Sequence, residues 1–221
     1  MIAEELINQM IPPLKLSDTV KKVLNWMEEF RIDHLPVVEN KQYLGLISEE
    51  TILQSSKTDV PISTFRFEYQ DIYVQQYQHF YDVIKKAIDN KIPIIAVLDE
   101  FNKFLGIITI KDTVSAFAGM SAIQSPGGII VLSLKEIDYS LSEISRLIES
   151  NDAKILSSYI STDELDISRL KLTLKLNKVD LSRVIATFER FSYKIIAQFQ
   201  ETELVSDDKE RLDLLLKYLD M

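Results

Sequence analysis

The first half of the chain repeats itself, and no other feature limits its architecture as much. VKKVLNWMEEFRIDHLPVV (Val20–Val38) aligns with FYDVIKKAIDNKIPIIAVL (Phe80–Leu98) at an offset of 60 residues. Val23 falls on Val83, Leu24 on Ile84, Ile32 on Ile92 and the pair Val37–Val38 on Val97–Leu98. A turn follows that is one residue longer in the second copy, so LGLISEETIL (Leu44–Leu53) meets LGIITIKDTV (Leu105–Val114) at an offset of 61. Each copy reads as helix, strand, tight turn, strand, helix. Val20, Val23, Leu24 and Met27 have the i, i+3, i+4, i+7 spacing of a one-sided helix. Leu35–Val38 and Tyr43–Ile47 are short apolar runs around polar turn residues, which predicts a buried hairpin. Ser48 and Thr109 stand where the next helix begins. A unit of this order does not cover its own sheet, so two copies are expected to pair.

The pattern is hydrophobic–Pro–Val–Val, a polar turn, then Leu–Gly–hydrophobic–Ile–Ser/Thr–x–x–Asp. It resembles the CBS domain, and two in tandem resemble a CBS pair, or Bateman module. The resemblance covers residues 1–118, with repeats at about 1–57 and 58–118 of two β-α-β-β-α units. Two positions depart from it. Ala96 stands where the first copy has Pro36, and Thr51 stands where an Asp is expected.

The chemistry of the motif is clearest in GIITIKD. Gly106 is read as ending a strand and Thr109 as starting a helix, with Asp112 three residues on. Residues at i and i+3 share a helical face, so hydroxyl and carboxylate point the same way. A carboxylate accepts hydrogen bonds from both hydroxyls of a ribose, the helix start favours negative charge, and Gly106 allows close backbone approach. The resemblance to CBS modules implies an adenosine-containing ligand, with Thr109 and Asp112 on the ribose and the backbone near Ile94 and Ile95 beside the adenine. AMP, ADP, ATP and S-adenosylmethionine are the candidates, and none is assigned as a firm cofactor. In the first copy Ser48 remains, and Thr51 offers one hydroxyl bond in place of a carboxylate. Lys111, Arg31 and His34 are candidate phosphate contacts because they lie in or just before the motif segments. Tyr69, Tyr73 and Tyr77 enter the second copy as spaced aromatics that could stack on a base, with packing as their default role. The competing reading is structural: Thr-x-x-Asp is close to a capping box, in which both side chains satisfy backbone N–H groups.

MSAIQSPGG changes the texture of the chain and makes 119–128 the expected linker. Beyond it the pattern is strand 129–134, helix 140–150, strand 154–161, strand 169–176, helix 181–191 and strand 194–199, with Asp180 as an expected N-cap. This βαββαβ order is ferredoxin-like. After a CBS pair, residues 129–201 resemble an ACT domain, a fold class of mixed α/β (α+β) type. Amino-acid-binding ACT domains are expected to carry a Gly in the turn after the first strand. Here that turn is KEIDYSLSE, so a dimerising role is expected and a specific amino-acid pocket is not. Residues 204–221 carry Leu212, Leu215, Leu216 and Leu219 as an apolar stripe, an expected amphipathic helix.

The rest of the composition narrows the function. There is no Cys, so no thiol nucleophile, disulfide or iron–sulfur site, and His34 and His79 alone make no His-rich metal centre. With 25 Lys+Arg against 34 Asp+Glu, the net charge of −9 opposes broad contact with nucleic acid. The five glycines form no GxGxxG or GxxxxGK[ST] loop. The start lacks the pattern of a signal peptide, and no apolar run approaches the ~20 residues of a membrane span. The chain is therefore expected to be cytoplasmic and non-catalytic, with no metal, membrane or nucleic-acid partner. The expected function is a regulatory sensor in which the CBS pair binds an adenosine nucleotide and the ACT-like domain serves dimerisation or output to a further protein. The domain order resembles that of acetoin-utilisation-type CBS–ACT proteins. The alternative is a structural or interaction protein whose degenerate CBS sites bind no ligand. Homodimerisation is expected because CBS pairs associate into disks and ACT sheets pair.

Overall fold

Thr19 and His79 occupy the same place in the two repeats, and each caps a helix. The Thr19 side chain accepts from the Lys22 N–H, and His79 Nδ1 accepts from the Tyr81 N–H, both at 3.4 Å. Helices α1 (Val20–Phe30) and α3 (Phe80–Asn90) follow, burying Val20, Val23 and Met27 and the matching Phe80, Val83 and Ala87. Both end on a left-handed residue, Arg31 (φ 54) and Lys91 (φ 55). The structure is a computed structural model, and it describes residues 1–55, 59–119, 121–163 and 166–200.

Each helix leads into an antiparallel hairpin, β1 (His34–Glu39) with β2 (Gln42–Ser48), and β4 (Ile94–Leu98) with β5 (Phe104–Thr109). Asn40 and Lys41 both have positive φ, as a two-residue hairpin turn requires. Short helices α2 (Glu49–Leu53) and α4 (Ile110–Ala118) close the repeats. Strand β3 (Tyr73–Gln75) pairs in parallel with β4, making the sheet β3-β4-β5. Its counterpart in the first repeat is a single parallel bridge between Leu14 and Val37. The leading strand expected there is therefore reduced to one bridge. Pro12 and Pro13 precede Leu14 and have no N–H to extend a ladder.

The repeats are held together by exchange of the segments that precede them. The Ala3 N–H donates to the Gln78 carbonyl (2.9 Å) and the Asn8 N–H to the Ile107 carbonyl (2.8 Å), both in the second repeat. Reciprocally, the Ile62 N–H donates to the Asp18 carbonyl (2.8 Å), and Leu46 and Glu68 exchange bonds of 2.7 and 2.8 Å in the first. One core runs through both: Leu35, Val37 and Ile47 share it with Ile94, Val97 and Ile108. The glycines common to the repeats sit under the crossing segments. A Cβ on Gly45 (φ +127) would lie 2.5 Å from the Glu68 carbonyl oxygen, and one on Gly106 would lie 2.4 Å from Ile7 Cγ2.

The chain divides into two compact units, Met1–Ala118 and Gly119–Met221. In the second, α5 (Ser121–Gln124) precedes β6 (Ile129–Lys135), α6 (Leu141–Glu149), β7 (Ile155–Thr162), β8 (Arg169–Leu176), α7 (Ser182–Arg190) and β9 (Lys194–Phe199). The sheet order β7-β8-β6-β9, antiparallel throughout, makes this unit ferredoxin-like. Alternate residues Ile130, Leu132, Leu172 and Leu174 are buried in one core with Ile144, Leu147, Val184 and Phe188 of α6 and α7. The N-cap of α7 is Leu181 rather than Asp180. Asp180 instead accepts from the Ser182 N–H at 2.9 Å, and the hydrogen bonds from Ser182 hold its carboxyl below the usual carboxylate range. The amphipathic helix expected at 204–221 lies outside the described residues.

Gly45→Ala should cost about 1–3 kcal/mol, because it strains a positive φ and meets backbone. Gly106→Ala should cost less, because Ile7 can move its side chain. Urea unfolding measures both, and a neutral Gly45→Ala would contradict the crossing geometry.

Candidate functional site

In the second repeat, strand β5 runs on to Thr109, so Gly106 lies within the strand rather than at its end. Thr109 and Asp112 form a reciprocal cap at the start of α4. The Thr109 N–H donates to Asp112 Oδ2 (2.8 Å), and the Asp112 N–H donates to Thr109 Oγ1 (3.0 Å). The Thr109 hydroxyl also donates to Asp112 Oδ2 (2.7 Å). A further partner comes from the segment crossing this repeat: Asn8 Nδ2 donates to both carboxylate oxygens, at 3.1 and 3.2 Å. Asn8 is itself fixed, since its Oδ1 accepts from the Met10 N–H at 2.9 Å. The space above Gly106 is filled by Ile7. The close approach read for this glycine is therefore made by the protein's own chain. Ile94 and Ile95 are core residues of β4, at 0% and 1% exposure.

The first repeat is built differently at the same positions. Ser48 Oγ accepts from the Thr51 N–H (3.2 Å) and donates to Thr51 Oγ1 (2.8 Å). Thr51 Oγ1 then donates to Glu68 Oε1 at 3.3 Å. Glu68 lies on the segment crossing this repeat and is exposed. Beside this relay opens a cavity of about 850 Å³ bordered by Ser48, Thr51, Glu68, Tyr69, His34 and Lys91. Such a volume falls within the ~300–1,000 Å³ of small-molecule sites.

The cavity's walls are positioned by neighbouring contacts. His34 is 13% exposed at its side chain, pairs with Asp33 through Nδ1 at 2.8 Å, and has its ring 6.0 Å from that of Tyr69. Tyr69 has φ 55, and its carbonyl accepts from the Tyr43 hydroxyl at 3.1 Å. Burial pushes the Tyr43 phenol up, so it stays a donor. The Tyr43 ring stacks on Phe104, its counterpart in the second repeat, at 6.3 Å. Asp33, Glu49, Glu50 and Glu68 line the cavity against Lys91 and His34, so its electrostatics are predominantly negative.

The structure thus brings Ser48, Thr51 and His34 together at one cavity, and places Thr109 and Asp112 together under Asn8. Arg31 borders an adjoining cleft with Leu24 and Pro93, which shares Asp33, Glu49 and Leu53 with that cavity, and Lys111 is exposed on α4. The motif reading missed Ile7, Asn8 and Glu68, which precede the helix–hairpin–helix units. One signal was present: Asn8 and Glu68 are themselves 60 residues apart. In the second unit, a 430 Å³ cavity borders Ser133, Arg169, Glu143 and Tyr193. Arg169 there donates to the Ser133 hydroxyl (2.7 Å) and carbonyl (2.8 Å). Burial, then the charge and hydrogen bond of Glu143, push the Tyr193 phenol up.

The family model of the CBS domain matches residues 3–57 and 69–119. The N-terminal unit therefore carries tandem CBS domains. Among solved structures, a CBS domain pair/ACT domain protein from Thermotoga maritima overlaps 53% of this chain and 96% of its own, at 19% identity and a TM-score of 0.49. CBSX2 in complex with AMP overlaps 52% of this chain and 95% of its own, at 18% identity and a TM-score of 0.45. The cytosolic domain of the Mg2+ channel MgtE in complex with ATP overlaps 52% and 48%, at 18% identity and a TM-score of 0.44. Each overlap spans about half of this chain, at an identity and TM-score too low to carry a function across. No helix among the described residues is long and apolar enough to cross a membrane.

Asn8→Ala leaves Asp112 short of two hydrogen bonds and should cost about 1.5–3 kcal/mol of stability, as expected for bonding to a charged group. Urea unfolding of the full chain checks this, and an unchanged midpoint would contradict the role given to Asn8.

Proposed function

We propose that this protein is a non-catalytic regulatory sensor whose tandem CBS domains bind an adenosine-containing nucleotide. The supporting observation is the 850 Å³ cavity beside Ser48 and Thr51, open at the motif position where CBS domains are expected to hold such a ligand. The ligand acts by population shift: it favours the arrangement of the two repeats in which the cavity walls fit it. We read the second unit, ferredoxin-like in order, as an ACT-like domain that serves dimerisation or output. The domain order then matches the acetoin-utilisation-type CBS–ACT resemblance. AMP is the preferred candidate among AMP, ADP, ATP and S-adenosylmethionine of similar adenosine content, because the acidic lining opposes additional phosphate charge. Thermal-shift measurement tests the reading. AMP at a hundredfold excess over its Kd should stabilise the fold by about 2.7 kcal/mol, and metal-free ATP at equal concentration should shift it less. No shift with any adenosine ligand would overturn it.

A specific observation favours a second reading, an interaction protein without ligand binding. The carboxylate of Asp112 is already engaged by Asn8 and Thr109. Under this reading the tandem domains serve only assembly, and the thermal-shift series separates it from the first.

Homodimerisation is part of both readings. Tyr81 and Ile88 on α3 and Val114 and Phe117 on α4 are exposed large apolar residues on two helices that pack together. Exposed apolar side chains on paired helices are the kind of surface through which a second copy would dock. Sedimentation of the purified protein should show a dimer, and Ile88→Glu should shift it toward monomer. A monomeric wild type would contradict the proposal.

A further inference from the structure

The two repeats carry the same hydroxyl-and-acid motif in unequal states, and the inequality concerns which carboxylate is free. Asp112 is the acid that the motif supplies. Its oxygens already receive Asn8 Nδ2 twice, the Thr109 N–H and the Thr109 hydroxyl, all between 2.7 and 3.2 Å. A ligand hydroxyl there would compete with Asn8, which the Met10 N–H holds through Oδ1. The approach over Gly106 is closed by Ile7 as well. At the equivalent position of the first repeat stands Thr51, next to Glu49 and Glu50 in the first turn, and the acid that bonds to this position, Glu68, comes from the crossing segment. Glu68 occupies the position of Asn8, facing Thr51 where Asn8 faces Asp112. The pair is exchanged: amide on the crossing segment with carboxylate on the helix in one repeat, carboxylate on the crossing segment with hydroxyl on the helix in the other.

Glu68 is free where Asp112 is engaged. It accepts one long bond of 3.3 Å from Thr51 at Oε1, and Oε2 accepts none among the described residues. It borders the 850 Å³ cavity together with both hydroxyls of the relay. An ionised carboxylate accepts through both oxygens, so Glu68 can take the two O–H groups of a vicinal diol while Thr51 turns its own donor elsewhere. We infer that the ligand site of this chain is the first repeat's cavity, with Glu68 as the carboxylate that grips the ribose diol, and that the second repeat's motif is a structural lock closed by Asn8 and Ile7. The inference rests on the adenosine-nucleotide reading above.

Placing the acid on the crossing segment also gives binding a route to the second repeat. The backbone of Glu68 is paired with Leu46 of the first repeat, and the same segment runs on into β3 of the second. A diol held by Glu68 therefore tightens a segment shared by both repeats.

Calorimetric titration of the full chain with AMP and with 2′-deoxy-AMP tests this, using the wild type, Glu68→Gln and Asp112→Asn, with Asn8→Ala as a second variant at the second motif. The wild type should prefer AMP over the deoxy form by at least about tenfold, the value of one hydrogen bond to a charged group. Glu68→Gln should lose that preference and weaken AMP by a similar factor. Asp112→Asn and Asn8→Ala should keep both affinity and preference. A merely structural role for Glu68 would leave the ribo-to-deoxy ratio unchanged. Loss of AMP binding in Asp112→Asn, with the preference intact in Glu68→Gln, would overturn the inference and leave the nucleotide reading standing. A wild type that binds neither probe would remove the reading and the inference together.

Discussion

Leu46 and Glu68 exchange two backbone hydrogen bonds across Gly45, and much of the N-terminal unit depends on that contact. The segment entering the second repeat is thereby laid on the first, and residues 3–8 are laid on the second in return. Each hairpin gains cover that its own repeat does not supply, and the two half-cores become one. The contact is possible because position 45 has no Cβ and takes a positive φ. Its counterpart, Gly106 under Ile7, meets a side chain instead of backbone. Both crossing segments fill the space above their glycines, and the two motifs differ in the side chain each segment brings to the helix start: Asn8 bonded to Asp112 in one, and Glu68 bordering an open cavity in the other.

The consequence for function is an uneven division of labour. Thr109 and Asp112 satisfy backbone at the start of α4 and anchor Asn8, so their hydrogen-bonding capacity goes into holding the N-terminal segment in place. Ser48 and Thr51 form the same kind of start through hydroxyls alone, and the acid bonded to them, Glu68, sits across on the crossing segment. Thr51 stands where the motif has an acid, and a carboxylate, Glu68, bonds to it from the crossing segment. The Glu68 carboxylate caps no backbone N–H and accepts only from the Thr51 hydroxyl among the described residues, whereas that of Asp112 accepts from the Thr109 N–H.

Much of the fold was legible from the residues. The 60-residue offset, the apolar spacing of α1 and α3, and the alternation in RLKLTLKL specify local structure directly, since burial on one face leaves few other registers. The paired motif residues Ser48/Thr51 and Thr109/Asp112 were also legible, because their contacts are three residues apart. Which motif is open was not. That depends on Ile7, Asn8 and Glu68, whose contacts with Gly106, Asp112 and Thr51 span up to 104 residues; the 60-residue spacing of Asn8 and Glu68 marks them as equivalent positions and does not reveal what they touch. The single bridge at Leu14 in place of a leading strand was readable in principle from Pro12 and Pro13, which have no N–H to extend a ladder.

Hydrogen exchange of the full chain with and without AMP tests the central claim most directly, because it reads both motifs in one experiment. The account predicts that AMP slows exchange in the stretch around Ser48 to Gln54 and in the crossing segment around Phe67 to Tyr69. The stretch around Ile107 to Thr113, already closed, should be unchanged or follow only weakly. Protection centred on Thr109 to Asp112, with the Glu68 segment unaffected, would contradict it.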